Sequence, residues 1–267
     1  MPDAPQQYPL LTYHELTSEP SQDQYMVGRT DFEEHLRFIR ELADRGFLAA
    51  GTYLCFDDGH QSNSTVALAL LEKYRLRAIF FITAGWTGIR ASSMNWDQLA
   101  ELKRAGHLIQ AHGWSHKFLT HCTGPELVQE LQGPKMALED RLGDKVESIS
   151  MPGGRWNSGV VRACIEAGYT NIYTSDPLLH STRKGPAWIH GRMMVRRHTR
   201  TEELRKFLCA DRWYWMKLQG KHGLKQGLRR VLGDSAYQSV WSRISSRHAA
   251  DMDSGPIPEP DKDVFLN

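Results

Sequence analysis

An α/β fold, with a parallel sheet closed or nearly closed into a barrel, is what the 267-residue sequence predicts. Three observations carry it. Short apolar runs alternate with amphipathic segments from about Pro9 to Cys209, at least six of the runs are strand-like, and most are followed by a helical pattern rather than a hairpin turn. An open doubly wound sheet gives the same alternation, and in either architecture chemistry collects in the loops at the carboxyl ends of the strands.

Taken in order, "PLLTYHEL" reads as a strand and "DFEEHLRFIRELADRG" as a helix stopped by Gly46. "TYLCF" is a strand, followed by the helix "NSTVALALLEKY" with Asn63 or Ser64 as its cap. "RAIFFIT" and "HLIQA" are strands separated by the helix "NWDQLAELKRAG". The long helix "GPELVQELQGPKMALEDRLG" leads to the strand "ESISM", and the helix "NSGVVRACIEAG" to the strand "NIYTS". No glycine-rich phosphate loop interrupts the pattern.

At 40% hydrophobic and 24% charged residues the chain can bury a real core. Its formal charge of +2 hides an asymmetry: Arg196 to Ala250 holds 13 Lys/Arg against 4 Asp/Glu, and Asp251 to Asn267 holds 5 acids and one Lys. We therefore expect a catalytic barrel over 1–210, a basic helical extension over 211–250, and an acidic tail without fixed structure over 251–267. Packing of the extension on the barrel is favoured over docking at an anionic membrane surface, and no recognition motif accompanies it that would indicate nucleic acid. "MPDAPQQYPLL" has no basic n-region and no apolar core, and no window is long and apolar enough to span a bilayer, so a cytoplasmic location is expected. The 4 cysteines, Cys55, Cys122, Cys164 and Cys209, are far apart and form neither a C-x-x-C pair nor a disulfide framework.

The chemistry concentrates in two places. Asp57 and Asp58 end the strand "TYLCF"; His112 and His116, in "HGWSH", end "HLIQA". Adjacent carboxylates repel and resist desolvation unless a cation lies close. Two imidazoles at i and i+4 can converge on one point, and a carboxylate from a neighbouring strand completes a three-ligand set with open positions for water. One aspartate then binds a divalent metal ion, and the other stays ionised beside it as a general base for hydrolysing an amide or ester. His14, at another strand end, is a candidate substrate contact; Trp114, between the two histidines, is the best candidate for stacking on a sugar ring, with Trp86 and Trp96 behind it.

With these motifs the sequence resembles the polysaccharide deacetylases, carbohydrate esterase family four, from "LTYHEL" to about "RKFL". "CFDDG" is similar to the family's T-F-D-D-G, "HGWSH" to H-[ST]-x-x-H, "RAIFFIT" to its A-T-F-F-V strand, and "MPGGRWNSGVVRACIEAGY" to its third motif. "YHEL" resembles the start of many members from exopolysaccharide gene clusters. The resemblance implies an irregular (β/α) barrel, Asp57 as general base, Asp58, His112 and His116 as metal ligands, and the Gly153 N–H as an oxyanion donor.

The departures are Cys55 and Gly113 in the first two motifs and Ser150 where the family carries an arginine two residues before its proline. Arg155 is the nearest arginine that could substitute. The fifth motif, whose histidine protonates the leaving amine, has no clear match; His190 in "WIHGRMMVRRH" is favoured for that role, with His180 beside Asp176 as the other option. The expected activity is metal-dependent removal of N-acetyl groups from an amino sugar in a polysaccharide, oligosaccharide or glycolipid precursor. Zinc fits the ligand set, with cobalt, nickel and iron as alternatives. The rival readings are an O-acetyl or non-sugar amide hydrolase using the same site, and a catalytically silent glycan-binding protein.

Overall fold

The computed structural model describes residues 10–48, 53–178 and 180–232. In chain order the elements are β1 (Leu10–Tyr13), β2 (Glu15–Thr17), β3 (Met26–Gly28), α1 (Arg29–Asp44), β4 (Leu54–Phe56), α2 (Leu68–Lys73), β5 (Ala78–Ile82), α3 (Trp96–Arg104), β6 (Leu108–Ala111), α4 (Gly124–Leu142), β7 (Ser148–Ser150), α5 (Ser158–Glu166), β8 (Asn171–Tyr173), β9 (Thr182–Lys184), β10 (Ala187–His190), β11 (Arg192–Met194), α6 (Thr201–Leu208) and α7 (Arg212–Leu232). The main sheet runs β11-β1-β4-β5-β6-β7-β8-β10-β9. Every pairing in it is parallel except that of β9 with β10.

Strands buried on both faces read as unbroken apolar runs, and β1, β4 and β5 are buried at every residue. Alternate side chains divide between two cores. Leu11, Tyr13, Leu54, Phe56, Ala78 and Phe80 join the large cluster under the helices, while Leu10, Cys55, Ile79, Phe81 and Tyr173 form a small cluster of their own on the opposite face. α1 supplies Phe32, Leu36, Ile39 and Leu42 to the large core from one helical face.

The two ends of the sheet are joined by a single segment. Residues 187–190 pair with β8, residues 192–194 pair with β1, and only Gly191 stands between. A Cβ at Gly191 would overlap the backbone of Leu178 and Asp176, so glycine is required where this segment crosses under the 176–178 loop. Among the described residues no ladder closes the sheet; the strands beside β8 and beside β1 are linked by chain continuity alone.

Several elements differ from the sequence expectation. The first strand breaks at His14 into β1 and β2, and β2 pairs with β3 in a separate two-stranded sheet. Neither Asn63 nor Ser64 caps the next helix: that segment starts as a π-turn over Asn63–Ala67, and Asn63 Nδ2 instead donates to the His14 carbonyl across the barrel mouth (2.9 Å). By contrast α3 has a full Asn95/Gln98 capping box, and Asn157 accepts from the Val160 N–H at the start of α5. α7 follows the barrel strands, with Trp215 buried against Phe207 at 4.7 Å between ring centres. The remainder of the basic extension beyond residue 232, and the acidic tail, lie outside the described residues.

Candidate active site

Asp57 and Asp58 leave β4 at its carboxyl end, and His112 and His116 leave β6 on the same side. Asp58 (φ 73°) and His116 (φ 63°) both adopt left-handed backbone, with Gly59 (φ 84°) and Gly113 (φ 78°) beside them. Non-glycine residues rarely hold that conformation unless their surroundings compel it. The turns bring Asp58 Oδ1 to 3.2 Å from both His112 Nε2 and His116 Nε2.

These three donor atoms lie within 4.8 Å of one another. Asp58 Oδ1 is buried and accepts no well-directed hydrogen bond, although two ring nitrogens flank it. The Nδ1–H of His112 donates to the Ser150 carbonyl at 2.9 Å, which turns Nε2 towards Asp58. An orphaned carboxylate oxygen and convergent imidazoles fit a divalent cation, and the N/N/O donor set suits zinc among first-row metals. Burial alone would raise the Asp58 carboxyl, but His116 and His112 outweigh it and hold the group well below the ordinary carboxylate range.

A carboxylate that sequence reading left unassigned fixes the second histidine. Glu130 of α4, 3% exposed, accepts from the backbone N–H groups of Trp114 (2.9 Å) and Ser115 (3.0 Å) and from the Ser115 hydroxyl. It therefore clamps the 113–116 turn from which His116 projects. The signal in the sequence is an acid on the buried face of a helix, one turn before Pro134 and next to Leu131.

Asp57 is held differently. Arg192, the first residue of β11, donates from Nη1 to Oδ1 (2.7 Å) and from Nη2 to Oδ2 (3.0 Å). Ser150 Oγ donates to Oδ2 at 3.0 Å and accepts from Arg192 Nη2 at 2.8 Å, while Arg192 Nε is fixed on the Thr174 carbonyl at 3.1 Å. Burial pushes the Asp57 carboxyl up; the Arg192 guanidinium, with His112, more than offsets it, so the group titrates below its ordinary value.

The arginine that sequence reading offered for this place was Arg155, and the structure puts it elsewhere: its guanidinium lies over the Phe118 ring at 4.2 Å. Arg192 makes the contact because its side chain runs up the barrel interior past Cys55 Sγ (3.6 Å). His190 is also displaced from its expected position. Nε2 faces Asn171 Oδ1 (2.9 Å) and Nδ1 faces Ser181 Oγ (2.7 Å), the ring stacks on Tyr173 at 4.5 Å, and burial lowers its pKa to about 4. Both nitrogens are occupied, and a proton on the ring is disfavoured. His180 is exposed; Asp176 instead accepts from Trp156 Nε1 at 2.8 Å and lies 3.2 Å from His222 Nε2 of α7.

His14 does join the site. Burial lowers its pKa, while Asp58 and Asp57 pull the other way, and its Nδ1 is buried with no partner. The Trp114 ring packs over Gly133 of α4 and against the core. The aromatic residue beside the donor set is Trp86, with its ring centre 5.3 Å from that of His116 and 3.9 Å from the Arg90 guanidinium carbon. Gly153 follows Pro152 with φ 63°, and a Cβ there would overlap the Phe118 ring, so the turn that carries its N–H is open to glycine alone.

Residues 49–172 match the family model described as polysaccharide deacetylase. The Bacillus subtilis (strain 168) protein YxkH is 24% identical over 203 residues, 70% of this chain and 71% of that protein. A chitooligosaccharide deacetylase from Rhizobium leguminosarum bv. trifolii is 27% identical over 127 residues, 47% of this chain and 57% of that one. Among solved structures, the polysaccharide deacetylase BC0361 from Bacillus cereus superposes with a TM-score of 0.65 at 22% identity, covering 75% of this chain and 68% of its own. The Streptococcus pyogenes deacetylase PplD superposes with a TM-score of 0.62 at 20% identity, covering 75% and 97%. At those identities the superpositions speak for the fold alone, a central parallel sheet with helices, as the strand pattern led us to expect. The segment that matches the family model also contains Asp57, Asp58, His112 and His116.

Proposed function

We propose that the chain is a metal-dependent N-deacetylase acting on an acetylated amino sugar in a polysaccharide, oligosaccharide or glycolipid precursor. The observation that carries this reading is one buried carboxylate, Asp57, held ionised by Arg192 beside the convergent Asp58, His112 and His116 atoms. A divalent cation held by Asp58, His112 and His116 would polarise the acetyl oxygen and acidify a water molecule. Asp57, ionised at neutral pH, takes a proton from that water, and Arg192 with Ser150 keeps its carboxylate in one orientation. The water oxygen adds to the acetyl carbon, the Gly153 N–H faces the developing oxyanion, and the carbon–nitrogen bond breaks to give acetate and a free amine.

The leaving nitrogen needs a proton. His14 is better placed to give it than His190, because its Nδ1 is buried without a partner whereas both His190 nitrogens are engaged, although burial lowers the pKa of both rings. An O-acetyl ester releases an alcohol and depends less on such a donor, so a weak or absent role for His14 favours that second reading.

The test is acetate release from N-acetylglucosamine oligosaccharides and from O-acetylated sugars by zinc-reconstituted protein, beside Asp57→Asn with its metal content checked. Turnover of the N-acetyl substrates by the parent, and none by a metal-replete Asp57→Asn variant, supports the reading. Tight zinc binding with release from O-acetyl substrates alone transfers the assignment to ester hydrolysis, and release from neither overturns it.

A further inference from the structure

α7 is apolar on two opposite faces. One face meets the barrel: Trp215 is buried, Tyr214 and Leu218 pack on the core, Tyr214 Oη lies 3.8 Å from Met193 Sδ, and His222 reaches Asp176. At 3.6 residues per turn, Trp213, Met216 and Leu224 fall on the side turned away from those contacts. They are exposed by 77%, 52% and 69%, and they are three of the seven exposed large hydrophobic side chains among the described residues. A surface helix normally carries polar groups there. Large apolar side chains grouped on the outer face mark a surface that some partner covers.

The charge on the helix narrows the partner. Arg212, Lys217, Lys221, Lys225, Arg229 and Arg230 lie within Arg212–Leu232, which contains no Asp or Glu. Two copies of the chain meeting through this face would set two wholly basic helices against each other, which opposes self-association. A nucleic-acid backbone would match the charge but would leave Trp213, Met216 and Leu224 without an apolar medium. An interface that accepts both features has anionic headgroups over hydrocarbon, and an in-plane amphipathic helix rich in Lys/Arg with Trp and Leu on its inserted side is suited to it. Among the described residues no helix is long and apolar enough to cross a membrane, so the contact is a surface one.

We propose that the outer face of α7 docks the protein on an anionic lipid bilayer, with Trp213, Met216 and Leu224 in the headgroup region and Lys217 and Lys221 against lipid phosphates. The tether between His222 and Asp176 fixes where this happens. Asp176 follows β8 at the strand ends that also carry Asp57 and His112, so the docked helix lies on the catalytic side of the barrel. Membrane docking rests on the helix alone and stands or falls independently of the deacetylase reading.

The experiment is sedimentation of the full chain with vesicles of mixed phosphatidylcholine and phosphatidylglycerol, against vesicles of phosphatidylcholine alone. Three further samples are run: Trp213→Ala/Met216→Ala/Leu224→Ala, Lys217→Glu/Lys221→Glu, and the parent at high salt. Thermal melts establish that both variants are folded. Binding to the anionic vesicles is expected, about tenfold or more weaker in each variant and in high salt. No sedimentation of the parent overturns the proposal, and means that the face is covered by a second copy or by the acidic residues 251–267. Sedimentation unchanged in both variants overturns it as well, because the lipid contact then lies elsewhere.

Discussion

Asp57 and Asp58 are neighbours in the chain, yet they are held by different parts of the molecule. Asp58 meets two histidines from one five-residue stretch, and both ends of that contact lie inside the family-matched segment 49–172. Asp57 is held by Arg192, 135 residues away and outside that segment, and it faces His14, which lies outside it at the other end. A compact motif therefore gathers the three candidate metal donors, while the carboxylate we propose as base depends on the first and last parallel strands of the sheet. The difference teaches that the donor set can tolerate change elsewhere, whereas the base reports on whether the whole barrel is in place.

The largest expected effect separates the two halves. Asp57→Asn should lower acetate release by about 10²–10⁴-fold while keeping its metal, and Asp58→Asn should lose the metal itself; metal analysis beside turnover reads both. Equal metal loss in the two variants would erase the division. Next is Arg192→Leu, which leaves Asp57 buried without a counter-charge and should destabilise the fold by about 3–5 kcal/mol in urea denaturation. Arg192→Lys keeps the charge but not the paired donors and should recover stability more than activity.

A smaller effect sharpens the metal half. Glu130→Gln weakens the clamp on the 113–116 turn and should reduce metal affinity by about 10–100-fold in a competitive chelator titration, with the fold intact. Unchanged affinity would mean that the left-handed turn at His116 holds without it. The smallest effect concerns His190, which burial keeps neutral down to about 4. As pH falls from about 6.5 towards 4, the unfolded chain binds a proton that the folded His190 does not, so stability declines across that window. His190→Gln should flatten the decline in urea midpoint over the same range, while His107, also lowered to about 4, keeps part of it.

The barrel and the donor set were legible because each is written locally. Alternating apolar runs give the strands of β1 and β4–β8, and the side chains that meet at the metal site come from "DDG" and "HGWSH" at adjacent strand ends. Arg192 was not legible, because nothing near "HGRMM" marks an arginine that enters the barrel, and Arg155 stood closer in sequence to the vacant motif position. The surroundings of His190 were not legible for a related reason. Position after β8 was correct, but the β8–β10 register pairs it with Tyr173 and turns its ring to Asn171. Trp114 shows that a residue between two ligands need not share their direction: its N–H is held by Glu130 while its ring is spent on α4.

The segment through Gly191 also sets an order of events. During synthesis every metal donor and Asp57 leave the ribosome before residue 192 does, and Arg192 reaches the carboxylate only when its strand has settled beside β1. A chain that is still unfinished can gather its donor atoms, but it cannot neutralise its base. On the proposed reading, hydrolytic competence therefore waits for the strand that carries Arg192, and a nascent or frayed chain lacks the partner that holds Asp57.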